Sequence, residues 1–342
     1  MSRADRFLNA CRGLPVDTTP LWIMRQAGRY LPEYRAVRAK HSFLEVCHVP
    51  ELACEVTLQP VDILGVDAAI LFSDIMIPLE GMGCSIEFNP GPVFAEPVRT
   101  AADVEKLRVC EPEEDVPFVL EAVRLIRREL DGRVPLIGFS GAPFTLAAYM
   151  VEGKGSRNFE NLKAMMYAAP EVYRALMDKV TDTVIRYLNA QIAAGAQAVQ
   201  VFDTWGGILS PADYAEYVLP YSKRVIAGLD RSVPVIHFVK GCGLLLDHIR
   251  TAGGDVLGID WHIDLADAIA KVGGEFAVQG NLDPTVLLGP REFVQARARE
   301  IVEKGKAAKG HVFNLGHGIL PMVPVDNVKA LVEAVHEAGA RN

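Results

Sequence analysis

Apolar residues run along this chain in short, nearly unbroken blocks separated by longer amphipathic stretches. The blocks read PLWIM (20–24), AAILF (68–72), VPLIGF (134–139), AVQVFD (198–203), VPVIHF (233–238), DVLGID (255–260), FAVQG (276–280) and HVFNL (311–315), eight in all. Blocks of this length, apolar on both alternating faces, predict strands buried on both sides. Between them FVLEAVRLIRREL, PEVYRALMDKVTDTVIRYLNAQIAAG and REFVQARAREIVEKG carry the spacing of amphipathic helices. Strands alternating with helices predict a parallel sheet covered on its outer face. Eight such units favour an α/β fold of the (β/α)8 TIM-barrel type over a doubly wound open sheet, which pattern alone leaves open. No Ser/Gly-rich linker or low-complexity segment divides the sequence, so residues 1–342 are expected to form a single domain.

The residues just past each block sharpen this expectation. At the strand ends come Arg25 and Arg29, Asp74, Ser140-Gly141-Ala142, Asp203-Thr204-Trp205, His237, Asp260-Trp261, Asn281 and Gly316-His317-Gly318. The opposite ends carry Val-Pro, Gly-Gly and ordinary turn residues. In a barrel enzyme the working groups gather at the C-terminal ends of the strands, and this asymmetry matches that arrangement.

Composition and charge narrow the class. Half of the residues are apolar and the net charge is −8, which argues against a general nucleic-acid or anionic-membrane binder, whose footprint is basic. Within this acidic chain Arg25, Arg29, Arg35 and Arg38 crowd into MRQAGRYLPEYRAVR. Arginine pairs best with carboxylates and phosphates, so a focused pocket for a ligand with several negative groups is expected. Six cysteines without CxxC spacing read as reduced core thiols. The N-terminus has no signal-peptide pattern and no run approaches a membrane span, so a soluble, cytoplasmic protein is expected.

Several residues are candidates for chemistry. Asp74 is the lone charge in AAILFSDIMIPL; a carboxylate there needs a partner or a task. It could cap a helix, but Ile75, Met76, Ile77 and Pro78 make a poor helix start. Gly28 and Pro32 suit a mobile arginine loop, whose charges could otherwise be spent on Glu33, Glu51 or Glu55. Tyr149 falls on a short helix after the third block, where a core role is also open. Thr204 lies beyond the fourth, beside an apolar wall of Phe202 or Trp205. His317 sits between two glycines that would let backbone approach a ligand. His237 reads as a hydrogen-bonded core histidine. Lys240 could serve as a Schiff-base amine, yet nothing nearby in sequence would activate it. Neither a P-loop nor a metal-ligand spacing is present, so no metal is expected.

Taken together, PLWIMRQAGRYLPEYR (20–35), SFLEVC (42–47), ELACEVTLQP (51–60), AAILFSDIMIPLEGMG (68–83), GFSGAPFTLAAYMVEG (138–153), FDTWGG (202–207), QGNLDP (279–284) and FNLGHGI (313–319) resemble the uroporphyrinogen decarboxylase family over nearly the whole chain. The resemblance implies a cofactor-free decarboxylase on a (β/α)8 barrel, removing carbon dioxide from the four acetates of uroporphyrinogen III to give coproporphyrinogen III in tetrapyrrole synthesis. It implies that Arg25, Gln26, Ala27 and Arg29, in the loop that includes Gly28, bind substrate, with Arg38 and Phe43 beside them. Asp74 matches the aspartate that contacts the pyrrole N–H groups, and Tyr149, Thr204 and His317 match further pocket positions. The general acid stays open among Arg25, His317 and Tyr149. A homodimer is the family's usual state. Two rivals remain at this point: a zinc-dependent, corrinoid-linked methyltransferase of related fold, whose His-x-Cys is replaced here by His237-Phe238-Val239, and a non-catalytic tetrapyrrole carrier.

Overall fold

The computed structural model describes residues 1–88 and 91–341. Its strands are β1 (Ala69–Ile70), β2 (Ile86–Phe88), β3 (Pro92–Phe94), β4 (Leu136–Gly141), β5 (Ala198–Asp203), β6 (Val235–Val239), β7 (Val256–Gly258), β8 (Ala277–Gln279) and β9 (His311–Val312). β2 and β3 form a small antiparallel hairpin. The other seven make one curled, wholly parallel sheet in the order β1-β4-β5-β6-β7-β8-β9. Seven of the eight apolar blocks are thus strands, and the fold is α/β with a parallel sheet.

The register shows which side chains share a face. Phe202 pairs with Phe238, Phe238 with Gly258 and Gly258 with Gln279. Two residues back from Phe202, on the same face, lies Gln200. Gln279 accepts from the Trp22 indole at 2.8 Å and donates to Gln200 at 3.0 Å, so this face is the interior of the curled sheet. The alternate register, Val201 with His237 and Leu257, faces the helices. His237 is buried there, and among the described residues neither ring nitrogen has a partner. The hydrogen-bonded state expected of it is not found. Burial depresses its pKa to about 4, which keeps the ring neutral and makes its place between strand and helix tolerable.

The first block, 20–24, differs from expectation for a traceable reason. It touches the sheet through one parallel bridge, Leu21 to Phe313. A strand needs its N–H groups for the neighbouring strand, and here side chains capture them. Pro20 has none to give. Leu21 N–H goes to Asp67 Oδ2 (3.0 Å), Ile23 N–H to Gln26 Oε1 (3.1 Å) and Met24 N–H to Asn314 Oδ1 (2.9 Å). Only Trp22 N–H reaches backbone, the Phe313 carbonyl at 3.3 Å, while Phe313 N–H donates to Pro20 at 2.8 Å. On its other side Leu21 accepts from Asp67 N–H at 2.8 Å. The segment therefore lies between β9 and β1 without being a ladder strand.

At the N-terminal end of the sheet a charged cluster pins both chain ends. Buried Asp67 takes Arg6 (2.7 Å) and His336 (2.7 Å) as well as Leu21 N–H, and Arg6 grips Asp17 at 2.7 and 2.9 Å. The helix Arg3–Arg12 and the helix Val325–Gly339 are thereby held to one point. At the opposite end the β1–β4 ladder stops at Leu71 N–H. The Phe139 N–H and C=O are taken instead by the buried Gln191 amide (2.9 and 3.0 Å), from the long helix Pro170–Ala194. That early parting frees the chain after β1 to carry Asp74 over the sheet. All six cysteines are free. Among the described residues no helix is long and apolar enough to cross a membrane.

Candidate active site

The arginine loop is fixed by its neighbours. Met24 donates to Asn314 and accepts from Ile319 N–H at 3.0 Å. Gln26 lies fully buried, its amide bridging Ile23 N–H and the Ala68 carbonyl (3.0 Å), while Tyr30 Oη–H holds the Gln26 carbonyl at 2.7 Å. Arg25, between these anchors, has φ +61°, a left-handed conformation that costs a non-glycine residue about 1 kcal/mol or more. Strain of this kind, held from both sides, marks a side chain whose direction matters. That direction is over Gly318, where any Cβ would come within 2.5 Å of Arg25 Cδ.

The four arginines divide by use. Arg35 donates to the Arg29 and Tyr30 carbonyls (3.0 and 3.3 Å) and braces the loop. Arg38 donates to the His41 carbonyl and lies 5.8 Å from the Phe43 ring centre. Phe43 in turn packs on Phe72 and Phe88, at 5.9 and 4.9 Å. Arg25 and Arg29 are exposed and, among the described residues, pair with no acid; the Glu33, Glu51 and Glu55 alternative does not occur. Ala27 and Gly28 are half-buried between them. The Gln26 side chain, by contrast, points away into the core.

Asp74 comes after β1 on a tight turn, its Oδ1 accepting from Met76 N–H at 2.9 Å. The short helix after it begins at Ile77 with Met76 in the cap position, so Asp74 is not its N-cap. Asp74 is deeply set yet partly accessible. Burial pushes its pKa up and the Glu80 charge adds to this, while the Met76 N–H and the Arg25 charge oppose it. Tyr149, on the helix Pro143–Glu152, feels the charges of Asp74 and Arg25: its hydroxyl pKa is raised by burial first, then by Asp74, against Arg25. Its ring stands edge-on to Trp205 at 6.1 Å.

Around these lie an apolar wall and a second polar side. Phe202 meets Phe139 and Phe238 at 5.7 and 5.9 Å. Thr204, at the end of β5, lines a cavity of about 570 Å3 with Trp205, Lys240 and His262. Beneath it Asp203 accepts from Thr145 Oγ1–H (2.7 Å) and Gly206 N–H (3.0 Å) through one oxygen, while the other, buried, has no partner among the described residues. Burial lifts its pKa to about 6 despite those bonds. His317 lies 6.3 Å from Phe238 and 6.4 Å from Trp261. Burial, with Arg25 and Lys240 adding, lowers its pKa to about 4, so the imidazole is neutral at pH 7.

Arg25, Asp74, Tyr149 and His317 are thus linked through Arg25, which acts electrostatically on each of the other three. Sequence reasoning missed Asn314 as a part of this cleft and weighed Lys240 only as a Schiff-base amine. The first could have been found in NLGHG, since an Asn just before a glycine loop often serves the backbone. Among the described residues no three His, Cys, Asp or Glu side chains come together as a metal site would require.

The residues just described sit in a chain that matches the uroporphyrinogen decarboxylase (URO-D) family model over residues 2–338. This chain belongs to that family. Its similarity to individual members is high throughout. It is 64% identical over 333 residues to a uroporphyrinogen decarboxylase from Geobacter sulfurreducens, covering 97% of this chain and 98% of the relative. It is 62% identical over 338 residues to one from Trichlorobacter lovleyi, with 98% and 99% covered. Among solved structures a methyltransferase from Methanosarcina mazei superposes with a TM-score of 0.84 at 24% identity, over 98% of this chain and 99% of that one. At that identity the likeness concerns the fold alone.

Proposed function

We propose that this chain removes the four acetate carboxyl groups of uroporphyrinogen III, giving coproporphyrinogen III, on a single (β/α)8 barrel domain whose eighth wall is the segment 20–24. Family membership gives the reaction. The observation that carries the mechanism is a deeply set carboxylate, Asp74, under the charge of Arg25, in a loop whose Arg25 and Arg29 pair with no acid among the described residues. A substrate with eight carboxylates fits a cleft whose rim is cationic although the protein as a whole carries −8.

The chemistry is dictated by where electrons must go. Losing carbon dioxide from an acetate on pyrrole leaves a poor carbanion unless the ring first becomes an electron sink. A proton added to the ring α-carbon next to the one bearing the acetate makes that ring cationic and leaves the acetate-bearing carbon conjugated with the cation. The C–C bond then breaks, its electron pair neutralises the ring cation, and carbon dioxide departs. A proton added to the exposed methylene carbon and one lost from the ring α-carbon complete the methyl group, so each cycle consumes one proton. Asp74 accepts the pyrrole N–H groups and stabilises the cation, an effect that is large in a site shielded from water. Arg25 and Arg29 hold the carboxylates and steer the reacting one. Neutral His317 and Tyr149 carry N–H and O–H protons at the cleft, and Arg25 orders water that can relay one. Phe202 and Thr204 line the side against which the ring rests, with Phe43 and Arg38 beyond the loop. We take the working form to be a cytoplasmic homodimer, which sedimentation of the native protein checks.

Anaerobic incubation with uroporphyrinogen III and no added cofactor, then separation of products by carboxylate number, tests the reading. Stepwise descent to the tetracarboxylate is expected. Binding without release of carbon dioxide would mean a carrier.

A further inference from the structure

One more cation stands over the cleft without an acid to neutralise it. Lys240 comes after β6, its Nζ 5.6 Å from the ring centre of Trp205 and 5.9 Å from that of Trp261. Among the described residues it makes no ion pair, unlike Lys304 or Lys306. Aromatic faces attract an ammonium group while leaving its N–H donors unspent. The position is rigidly built: Lys240 N–H donates to the Asp203 carbonyl at 3.1 Å, and Gly207 packs its Cα face on Gly241 and the Lys240 carbonyl, where no larger residue fits. Lys240 lines the same cavity as Thr204.

Its place in the sheet gives the charge a purpose. The segment bearing Arg25 lies between β9 and β1. Counting round from it in either direction, through β1, β4 and β5 or through β9, β8 and β7, β6 comes fourth. Lys240 therefore stands across the mouth from Arg25, and His317 feels the charges of both. A macrocycle with carboxylates on its whole circumference cannot be held by cations on one side alone. We infer that Lys240, framed by Trp205 and Trp261, binds a non-reacting carboxylate of the ring on the side opposite Arg25. This rests on uroporphyrinogen being the substrate and adds a residue to its binding. The carboxylate is either a propionate, present throughout, or an acetate awaiting its turn.

The test is anaerobic steady-state kinetics of wild type, Lys240→Met and Lys240→Arg on octa-, hepta-, hexa- and pentacarboxylate porphyrinogens supplied singly, with thermal midpoints for each protein. Lys240→Met should raise KM roughly 10- to 100-fold, the loss of one charge-assisted hydrogen bond, with kcat changed by less than roughly threefold. Lys240→Arg should restore most of the affinity, which a merely structural role would not predict. A propionate partner gives the same KM rise for all four substrates. An acetate partner gives a rise that disappears with that acetate; both outcomes support the inference. An unchanged KM in folded Lys240→Met overturns it, as does a fall in kcat alone that arginine fails to rescue. Should Lys240→Met not fold, Lys240→Gln carries the same expectations. A wild type that binds uroporphyrinogen without releasing carbon dioxide sinks the reaction assignment instead, and the affinities of wild type and variant then still decide the lysine.

Discussion

Two aspartates flank β1, seven residues apart and opposite in fate. Asp67, at the N-terminal end, is fully buried and holds three partners: Arg6, His336 and Leu21 N–H. Asp74, at the C-terminal end, has among the described residues a single close donor, Met76 N–H, and an arginine near enough to act on it whose side chain bonds to none of them. The same contrast runs through the cations. Arg6 is locked between Asp17 and Asp67, which raises its own pKa and lowers that of Asp17, whereas Arg25 and Arg29 are left open. One end of the sheet spends its charges on holding the fold together. The other withholds them for something that arrives from outside.

The largest effects should separate the two ends cleanly. Asp74→Ala is expected to lower kcat by roughly two orders of magnitude or more, with little change in the urea midpoint. Asp67→Ala should do the reverse, costing about 3–5 kcal/mol because Arg6 and His336 lose a buried partner, while the fraction that remains folded keeps near-normal turnover. Near-normal activity in folded Asp74→Ala would erase the distinction. Next in size, Arg25→Ala should raise KM roughly 10- to 100-fold through the lost carboxylate contact. The same change at Arg35, which touches only backbone carbonyls, should loosen the loop and cost much less.

Asp203 adds a stability test at the end of the sheet that carries Asp74. Its carboxyl holds a proton more tightly when folded, with a pKa of about 6 against 3.8 for the free group. Its favourable contribution is therefore complete below pH 4 and lost as pH rises through 6, a difference of about 3 kcal/mol. Asp203→Asn keeps the acceptor for Thr145 and Gly206, so urea titrations between pH 4 and 7 should show wild type losing stability relative to this variant. A parallel pair of curves would remove Asp203 from the account. The smallest signal is spectroscopic: the His317 imidazole should titrate near pH 4, not near 6.5, when monitored by NMR.

Much of this was legible in the chain because burial writes itself in long apolar blocks. Seven strands start within the runs that pattern alone picked out, and Asp74 announced itself as the one charge in AAILFSDIMIPL. What stayed hidden depends on partners distant in sequence. Nothing within PLWIM says that Asp67, Gln26 and Asn314 will take its N–H groups, so the eighth strand was expected and a bridged segment found. The family resemblance placed Gln26 in the substrate-binding loop, and nothing in the sequence showed that its side chain is spent on backbone in the core. Lys240 was legible only as a candidate Schiff-base amine, and its aromatic frame stayed hidden. Its neighbours in space, Trp205 and Trp261, come from the loops after other strands.

The bond from Met24 to Asn314 joins residues 290 positions apart. Contacts that distant carry the greatest loop-closure cost and should form late on any folding route. A nascent polypeptide that has emerged only as far as β8 would already possess Asp74, Tyr149, Thr204 and Lys240. It would lack the anchor that aims Arg25, and with it a complete grip on substrate. With Arg25 in its proposed role, the seam between residues 20–24 and β9 would make activity wait until that strand has docked.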